Sequence, residues 1–217
     1  MSSFLSIRPQ VLQQWPLPNP ALYLKRTLDV VLSTSALVAL FPLLVTIGLL
    51  IKSTSPGPAV YAAPRAGRRG QKFICYKFRT MVEGADELKA QLREQNERDG
   101  PFFKITNDPR VTRLGRFLRR YSLDELPQLW NVLKGDMSLV GPRPHPLDDF
   151  QRYDEDHHRR LQVTPGLTGL WQVVARADTS FQRAMELDLE YINNWSLGMD
   201  LRILFKTVSA VLQGSGT

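Results

Sequence analysis

The sequence contains little cysteine and little histidine, and both shortages limit the chemistry it can support. Cys75 is the only cysteine, so the chain forms no intrachain disulfide and no cysteine-based zinc site, and nothing indicates an oxidising compartment. The histidines His145, His157 and His158 show no H-E-x-x-H spacing, and we expect each of them on the surface. We therefore expect the working part of the protein to lie in the cytosol.

The common phosphate-binding loops are also absent. The sequence contains no G-x-x-x-x-G-K-[ST] and no G-x-G-x-x-G, so arginines and a metal would have to hold a phosphate-bearing substrate. Acidic residues are outnumbered by basic ones, since Lys and Arg total 28 and Asp and Glu total 21, which gives a net charge of +7. This excess favours an anionic partner, which by charge alone could be nucleic acid, a nucleotide or acidic lipid.

The longest stretch without any charged residue runs from Val30 to Ile51. As a helix it would extend about 33 Å, which matches the roughly 30 Å hydrocarbon core of a bilayer. Pro42 lies near its middle, and basic residues flank both ends. The sequence leaves open a re-entrant hairpin broken at Pro42, a simple membrane span and a buried soluble helix.

The rest of the 217-residue chain predicts a mainly α fold with a small β-hairpin. We expect an irregular leader over 1–24, a membrane anchor over 25–53 and a cytosolic domain over 54–217. The hairpin strands are predicted over 59–63 and 72–81, around a basic tip. Helices are predicted over 83–98, 110–121, 148–161 and 181–195, with another at the C-terminus, and a loop with a short strand is predicted over 166–174. Arginines on one side of 110–121 suit either a membrane surface or solvent.

The most informative motif is the acidic pair Asp124 and Glu125, which follows a run of arginines. Its simplest interpretation is a capping box, in which Ser122 and Glu125 satisfy free backbone N–H groups at a helix start. A helix N-terminus also binds phosphate, and nearby arginines are expected to keep both carboxylates ionised. The pair could therefore be structural, or it could handle a phosphate and a divalent metal together.

Two further motifs supply cations. Arg143 lies between prolines in Gly-Pro-Arg-Pro, which would fix a guanidinium for a bidentate phosphate contact, although an ordinary turn fits as well. Lys77 and Arg79 alternate along a predicted strand and would therefore point to one face.

These motifs together resemble those of the bacterial sugar transferase family, the monotopic polyprenyl-phosphate phosphoglycosyl transferases. The resemblance runs from about Lys25 to the C-terminus and rests on long, ordered motifs. They are Lys25-Arg26-x-x-Asp29, the apolar segment interrupted by Pro42, Tyr76-Lys77-Phe78-Arg79-Thr80-Met81, Arg119-x-x-Ser122-Leu123-Asp124-Glu125-Leu126-Pro127-Gln128, Gly141-Pro142-Arg143-Pro144 and Pro165-Gly166-Leu167-Thr168-Gly169.

The resemblance implies transfer of a sugar 1-phosphate from a UDP-sugar to undecaprenyl phosphate, with release of UMP, at the start of exopolysaccharide, capsule, O-antigen or glycoprotein glycan assembly. It implies Asp124 as nucleophile, Mg²⁺ held by Asp124 and Glu125, and substrate phosphate bound by Arg119 and Arg143. Lys77 and Arg79 match a basic motif near the site.

The resemblance further implies a monotopic anchor, a re-entrant helix and amphipathic interfacial helices at the bacterial inner membrane, with the catalytic domain facing the cytoplasm. The implied partners are the two substrates and membrane lipid, without nucleic acid, and a homo-oligomer is left open. Larger relatives carry extra N-terminal spans, and we expect this chain to contain only the catalytic core. A non-catalytic, membrane-anchored scaffold whose basic face binds acidic lipid or polymer is the alternative.

Overall fold

The computed structural model describes residues 20–97, 103, 105–147, 153, 157–176, 178 and 180–214. The predicted leader lies almost wholly outside these residues. The helices are α1 (Pro20–Thr54), α2 (Arg113–Arg120), α3 (Gln128–Lys134), α4 (Leu170–Val174), α5 (Phe181–Asn193) and α6 (Leu197–Leu212). The strands are β1 (Val60–Ala66), β2 (Lys72–Phe78), β3 (Ser138–Val140) and β4 (Gly166–Thr168). A mainly α fold with a small β-hairpin is thereby confirmed.

Helix α1 contains the whole apolar segment and continues through Pro42 as one element. Among the described residues it is the helix long and apolar enough to cross a membrane, and only 11% of its most apolar stretch is buried. A core helix of a soluble protein would be mostly buried, so this environment supports membrane association. Of the three topologies that the sequence leaves open, the one broken at Pro42 would keep both halves within this single helical element.

Polar residues in the first part of α1 fasten it to the rest of the chain. Arg26 donates hydrogen bonds to the carbonyl oxygens of Val132 and Leu133, at 2.6 and 2.7 Å, which satisfies free carbonyls near the end of α3. Lys25 forms an ion pair with Asp200 at 2.7 Å, and an Asp29 carboxylate oxygen accepts from the backbone N–H of Leu139 at 2.9 Å. The Lys-Arg-x-x-Asp motif therefore docks the anchor.

The far end of α1 contacts the same domain. Ile47 and Ile51 are buried in a cluster with Phe78 and Leu118. Between the two contact regions, Val38 and Phe41 are exposed. Helix α1 is thus packed against the domain on both sides of Pro42 and exposed around it.

The predicted hairpin is confirmed. Strands β1 and β2 pair antiparallel from Val60 opposite Phe78 to Ala66 opposite Lys72, and the basic tip forms a short turn over Arg68–Gly70. Strands β3 and β4 form a second, parallel pair. This pairing requires a glycine, because a Cβ on Gly166 would lie 2.1 Å from the backbone nitrogen of Gly141.

One core cluster joins β2 to the helices that follow it. Its buried members come from β2, α3, the β3 region, the segment before β4, α5 and α6, and they are Cys75, Leu129, Val132, Met137, Leu139, Val140, Val163, Tyr191, Ile192 and Ile203. This cluster holds β2 and α3 in a fixed relation, and the candidate site is built on that relation.

Some predicted elements differ from the structure. The stretch 83–98 forms short 3₁₀ turns over Glu87–Lys89 and Arg93–Gln95 where a helix was predicted, because too few apolar residues pack against the core to stabilise a helix. Within 166–174, strand β4 confirms the predicted short strand, but most of the stretch predicted as a loop is helix α4. In the predicted helix over 148–161, residues 148–152 and 154–156 lie outside the described residues, and His157–Gln162 forms a 3₁₀ helix. Helix α5 and the C-terminal helix are confirmed.

Candidate active site

The acidic pair lies in a single 3₁₀ turn, Leu123–Glu125, between α2 and α3. The predicted capping box is wrong. Ser122 has φ 53° and ψ 22°, a left-handed conformation, and its side chain caps no backbone N–H. An N-cap residue needs an extended backbone to turn its side chain towards the helix. The Ser122 hydroxyl instead accepts a hydrogen bond from Arg176 at 3.2 Å.

A glycine brings α2 close enough to the end of the hairpin to supply Arg119. A Cβ on Gly115 would lie 2.1 Å from the carbonyl oxygen of Thr80, so only glycine allows this approach without movement. One turn later, Arg119 Nε donates to Thr80 Oγ1 at 2.9 Å. This contact fixes the Arg119 guanidinium beside the acidic pair.

Asn131 fixes the other side of the site. It is fully buried, its Nδ2 donates to the Ile74 carbonyl at 2.6 Å, and its Oδ1 accepts from the Tyr76 backbone N–H at 3.0 Å. The amide therefore binds the unpaired edge of β2 as a neighbouring strand would. This docking places Glu125 opposite Lys77.

Glu125 is held by two cations. Its Oε1 accepts from Lys77 Nζ at 2.9 Å and from Arg143 Nη2, and its Oε2 accepts from Arg143 Nη1 at 3.2 Å. Burial alone would raise the pKa of Glu125, but Arg143 and Lys77 outweigh it and hold that pKa well below its usual range. The same ion pair raises the pKa of Arg143. Glu125 is therefore an anion at neutral pH, and it orients Lys77 and Arg143.

The loop that carries Arg143 is itself restrained. The Arg143 carbonyl oxygen accepts from Arg160 Nη2 at 2.8 Å, and Arg160 forms a buried ion pair with Asp188. The backbone N–H of Gly166 donates to the Pro142 carbonyl at 2.9 Å. The predicted preorganisation of Arg143 by prolines is thus reinforced by contacts from β4 and from the 3₁₀ helix that contains Arg160, which Asp188 of α5 holds in place.

Asp124 differs from Glu125 in its contacts and in the direction of its pKa shift. It is 8% exposed, and its carboxylate makes no hydrogen bond or ion pair within the described part of the chain. Burial raises its pKa, and Glu125 adds to this, while the charges of Lys77, Arg119 and Arg143 oppose it. The prediction that arginines keep both carboxylates ionised therefore fits Glu125, whereas the pKa of Asp124 moves the other way.

The structure brings together most of the predicted site residues. Arg119, Lys77 and Arg143 surround the pair, but Arg79 lies past the end of β2 and donates to the Ser55 carbonyl at 2.8 Å. Arg79 lines the same cavity without contacting either carboxylate. His145 was expected on the surface and is buried, because the chain after Arg143 packs on β1 and contacts Tyr153.

Arg176 is a site residue that the sequence did not reveal. It follows α4, lines the cavity and donates to Ser122, and burial followed by repulsion from Arg143 lowers its pKa. No local motif marks it, because its position depends on how α4 packs against the turn that contains Ser122.

Asp124 and Glu125 open into a cavity of about 1400 Å³. Its walls come from the end of the hairpin, α2, α4 and α6. This volume exceeds that of an ordinary small-molecule pocket, so a nucleotide and part of a second substrate would fit. An unbonded carboxylate beside several cations is suited to attack on a phosphorus whose charge those cations neutralise.

The carboxylates of the site are the possible protein ligands of the predicted magnesium ion. No group of three or more Asp, Glu, His or Cys side chains gathers into a ligand set within the described residues. Mg²⁺ is usually bound by one or two carboxylates together with substrate phosphates and water, so a fuller protein cage is not required. Since Glu125 accepts from two cations, Asp124 is the carboxylate available for such an ion.

Comparison with known proteins identifies one matching family and several similar proteins. The bacterial sugar transferase family matches residues 20–214. Relatives include the undecaprenyl-phosphate galactose phosphotransferase of Salmonella typhimurium, which is 46% identical over 89% of this chain and 41% of its own length. The UDP-glucose:undecaprenyl-phosphate glucose-1-phosphate transferase of Escherichia coli is 41% identical, again over 89% of this chain and 41% of its own length.

A shorter relative matches over nearly its whole length. The exopolysaccharide production protein ExoY of Rhizobium meliloti is 44% identical over 89% of this chain and 87% of its own length. By contrast, the chain spans about two fifths of the Salmonella and Escherichia relatives.

Proposed function

Because the chain belongs to the bacterial sugar transferase family, we propose that it transfers a sugar 1-phosphate from a UDP-sugar to undecaprenyl phosphate and releases UMP. The observation that carries this proposal is the pair of unlike carboxylates. Asp124 is buried, open to the cavity and without a hydrogen bond from the described residues, whereas Glu125 is fixed between two cations. This difference supports a nucleophile next to an anion that orients the phosphate-binding groups.

In the first step, an Asp124 carboxylate oxygen attacks the β-phosphorus of the UDP-sugar. A bond from Asp124 to phosphorus forms, the bond from that phosphorus to the bridging oxygen breaks, and UMP leaves with the electron pair. Asp124 is suited to this attack because no hydrogen bond has to break first. Arg119 and Arg143 neutralise the phosphoryl oxygens as charge moves to the leaving group.

In the second step, a phosphate oxygen of undecaprenyl phosphate attacks the same phosphorus. The bond to Asp124 breaks and the carboxylate is restored, which leaves the sugar on an undecaprenyl diphosphate. The two substrates use the site in turn, so one set of cations serves both transfers. We propose that this product starts the assembly of an exopolysaccharide or a related glycan, as the names of the relatives suggest.

We further propose Mg²⁺ as the cofactor, with Asp124 and the substrate phosphates as its ligands. When bound, it would neutralise phosphate charge and make the phosphorus more electrophilic. Glu125 was also predicted as a ligand. Its two cationic partners support a positioning role for it instead.

We also propose that α1 is re-entrant, at the inner membrane with the catalytic domain facing the cytoplasm. Asp29 and Ile47 both contact the domain, although an unbent helix would hold them about 27 Å apart, close to the thickness of the hydrocarbon core. A spanning helix would place one of these contacts across the membrane. Contacts on both sides of Pro42 therefore support an anchor that enters and leaves by the same leaflet.

The C-terminal helix supports contact with the same membrane surface. Leu201, Phe205, Val208 and Leu212 recur along α6 at helical spacing and are all exposed, and Phe205 is 77% exposed. A row of exposed apolar side chains on one helix face is typical of an interfacial helix.

The function is tested by purifying the full chain in detergent and measuring UMP release from UDP-galactose and UDP-glucose with undecaprenyl phosphate present. We expect UMP and a lipid-linked hexose from at least one donor, and none from Asp124→Asn. Activity that is undiminished in Asp124→Asn would overturn the proposed chemistry. Salt-sensitive binding of acidic lipid without UMP release from the wild type would support a scaffold.

A further inference from the structure

A second, smaller cavity opens beside the catalytic one. Its volume is about 190 Å³, and its walls include Cys75, Gln128 and His145. Lys77 and Arg143 line both cavities and therefore lie at the boundary between them. A group attached to a phosphate held by Arg143 would be next to this side cavity.

The size of the side cavity limits what it can hold. It has room for roughly six water molecules at liquid density, which suits one sugar ring and is too small for a nucleoside diphosphate. The main cavity, at about 1400 Å³, is the one that can hold the nucleotide. The two volumes therefore correspond to the two parts of a UDP-sugar on either side of its reacting phosphorus.

One buried side-chain nitrogen in this cavity has no hydrogen-bond partner in the described part of the chain. Gln128 is 2% exposed, and its Nε2 has no hydrogen-bond partner among the described residues. Gln128 begins α3, three residues after Glu125, which ends the preceding 3₁₀ turn. A buried amide nitrogen without a partner is destabilising, and a ligand that accepts from it removes that penalty.

We propose that the side cavity binds the sugar ring of the donor and that Gln128 Nε2 donates a hydrogen bond to one of its oxygens. Lys77 and Arg143 hold the phosphate at the boundary, and the prolines and Trp171 that line the cavity supply its apolar wall. This inference rests on the proposed function, because it assigns one part of the proposed donor to a place in the site. Gln128 is then a binding residue for the sugar and takes no part in bond breaking.

The test compares a ligand that contains the sugar with one that lacks it. Dissociation constants for UDP-galactose, UDP-glucose and UDP are measured in an Asp124→Asn background, which prevents turnover. Gln128→Met removes the amide at similar volume. We expect it to weaken binding of the preferred UDP-hexose about tenfold and to leave UDP binding unchanged.

Gln172→Met is the matched control. Gln172 is also buried, and both its amide atoms lack partners among the described residues, but it lines only the main cavity. We expect this variant to change the affinities for UDP-hexose and UDP by the same factor. Equal factors for Gln128→Met as well, or no change with either ligand, would overturn the sugar subsite.

Two further measurements keep the proposal falsifiable if Gln128→Met does not fold. Cys75→Met narrows the same cavity, and we expect it to weaken the binding of UDP-hexose but not that of UDP. UDP-hexoses that each lack one ring hydroxyl are also tested on the protein that retains Gln128. We expect removal of one particular hydroxyl to weaken binding about tenfold. A series in which no removal weakens binding contradicts the subsite. UMP release by the chain with Asp124 intact separates the outcomes, because its absence would overturn the proposed function itself.

Discussion

Replacing each of the two adjacent carboxylates by its neutral amide is expected to change stability in opposite directions. Glu125→Gln removes an anion that accepts hydrogen bonds from Lys77 and Arg143. Asp124→Asn removes a buried anion that accepts none. The two substitutions have the same size and chemistry and differ by one position in the chain, so each controls for the other.

The magnitude follows from the burial of the ion pairs. Removing one partner of a buried pair usually destabilises a protein by about 3–5 kcal/mol. The side chains of Arg143 and Lys77 are 32% and 20% exposed, so water screens them in part and we expect a loss of about 2 kcal/mol for Glu125→Gln. In a chain of this size that loss lowers the melting temperature by about 4–8 °C.

Asp124→Asn is expected to leave the melting temperature unchanged or to raise it. Burial raises the pKa of Asp124 above its unfolded value, so its ionised form opposes folding at neutral pH. That penalty disappears as the pH falls through the raised pKa. The pKa of Glu125 is lowered, so its contribution is full above the unfolded pKa of about 4.3, and the deficit of Glu125→Gln should persist at pH 5.

The assay is thermal unfolding of the wild type and both variants in one detergent, at one scan rate, with EDTA present so that no divalent cation binds. Equal losses in the two variants, or a larger loss in Asp124→Asn, would refute the assignment of different roles to the two carboxylates. Activity alone could not make this distinction, since both substitutions are expected to lower it.

Three other perturbations test separate parts of the structure. Gly115→Ala places a Cβ against the Thr80 carbonyl and is expected to lower stability by about 1–3 kcal/mol and to lower kcat/KM, as thermal unfolding and UMP release will measure. Asp188→Asn leaves Arg160 buried without a counterion and is expected to lower the free energy of unfolding by about 3–5 kcal/mol in a denaturant titration. Phe205→Asp is expected to reduce the fraction that floats with anionic vesicles without preventing folding.

The sequence predicted the fold where the pattern was local. The hairpin follows from alternation and a basic turn, and α5 and α6 follow from helical spacing of apolar residues. The stretch 83–98 has charges suited to a helix, but Leu88 and Leu92 do not provide enough packing to stabilise one. The sequence left open whether Pro42 breaks the apolar helix, and the structure has one helical element through it, because sequence pattern alone does not predict how far a helix tolerates a proline.

The residues of the candidate site could be predicted from the motifs, but their contacts with one another could not. Asp124, Glu125, Arg119 and Arg143 form an evident motif, yet the sequence does not show which carboxylate receives the cations. That depends on Asn131, which docks α3 on the edge of β2 and thereby aims Glu125 at Lys77.

The contact between Arg176 and Ser122 escaped prediction for a related reason. Their contact depends on the left-handed backbone at Ser122, which the turn after α2 requires and which serine rarely adopts. The capping box that the sequence indicated would have needed an extended backbone at the same residue.

Covalent attachment of the sugar phosphate to Asp124 can be measured from the mass of the intact protein. The wild-type chain is incubated with Mg²⁺ and UDP-galactose or UDP-glucose, without undecaprenyl phosphate. We expect a gain of one hexose phosphate per chain, release of an equal amount of UMP, and loss of the adduct when undecaprenyl phosphate is added. No mass gain in a protein that turns over with the lipid, or the same gain in Asp124→Asn, would contradict it.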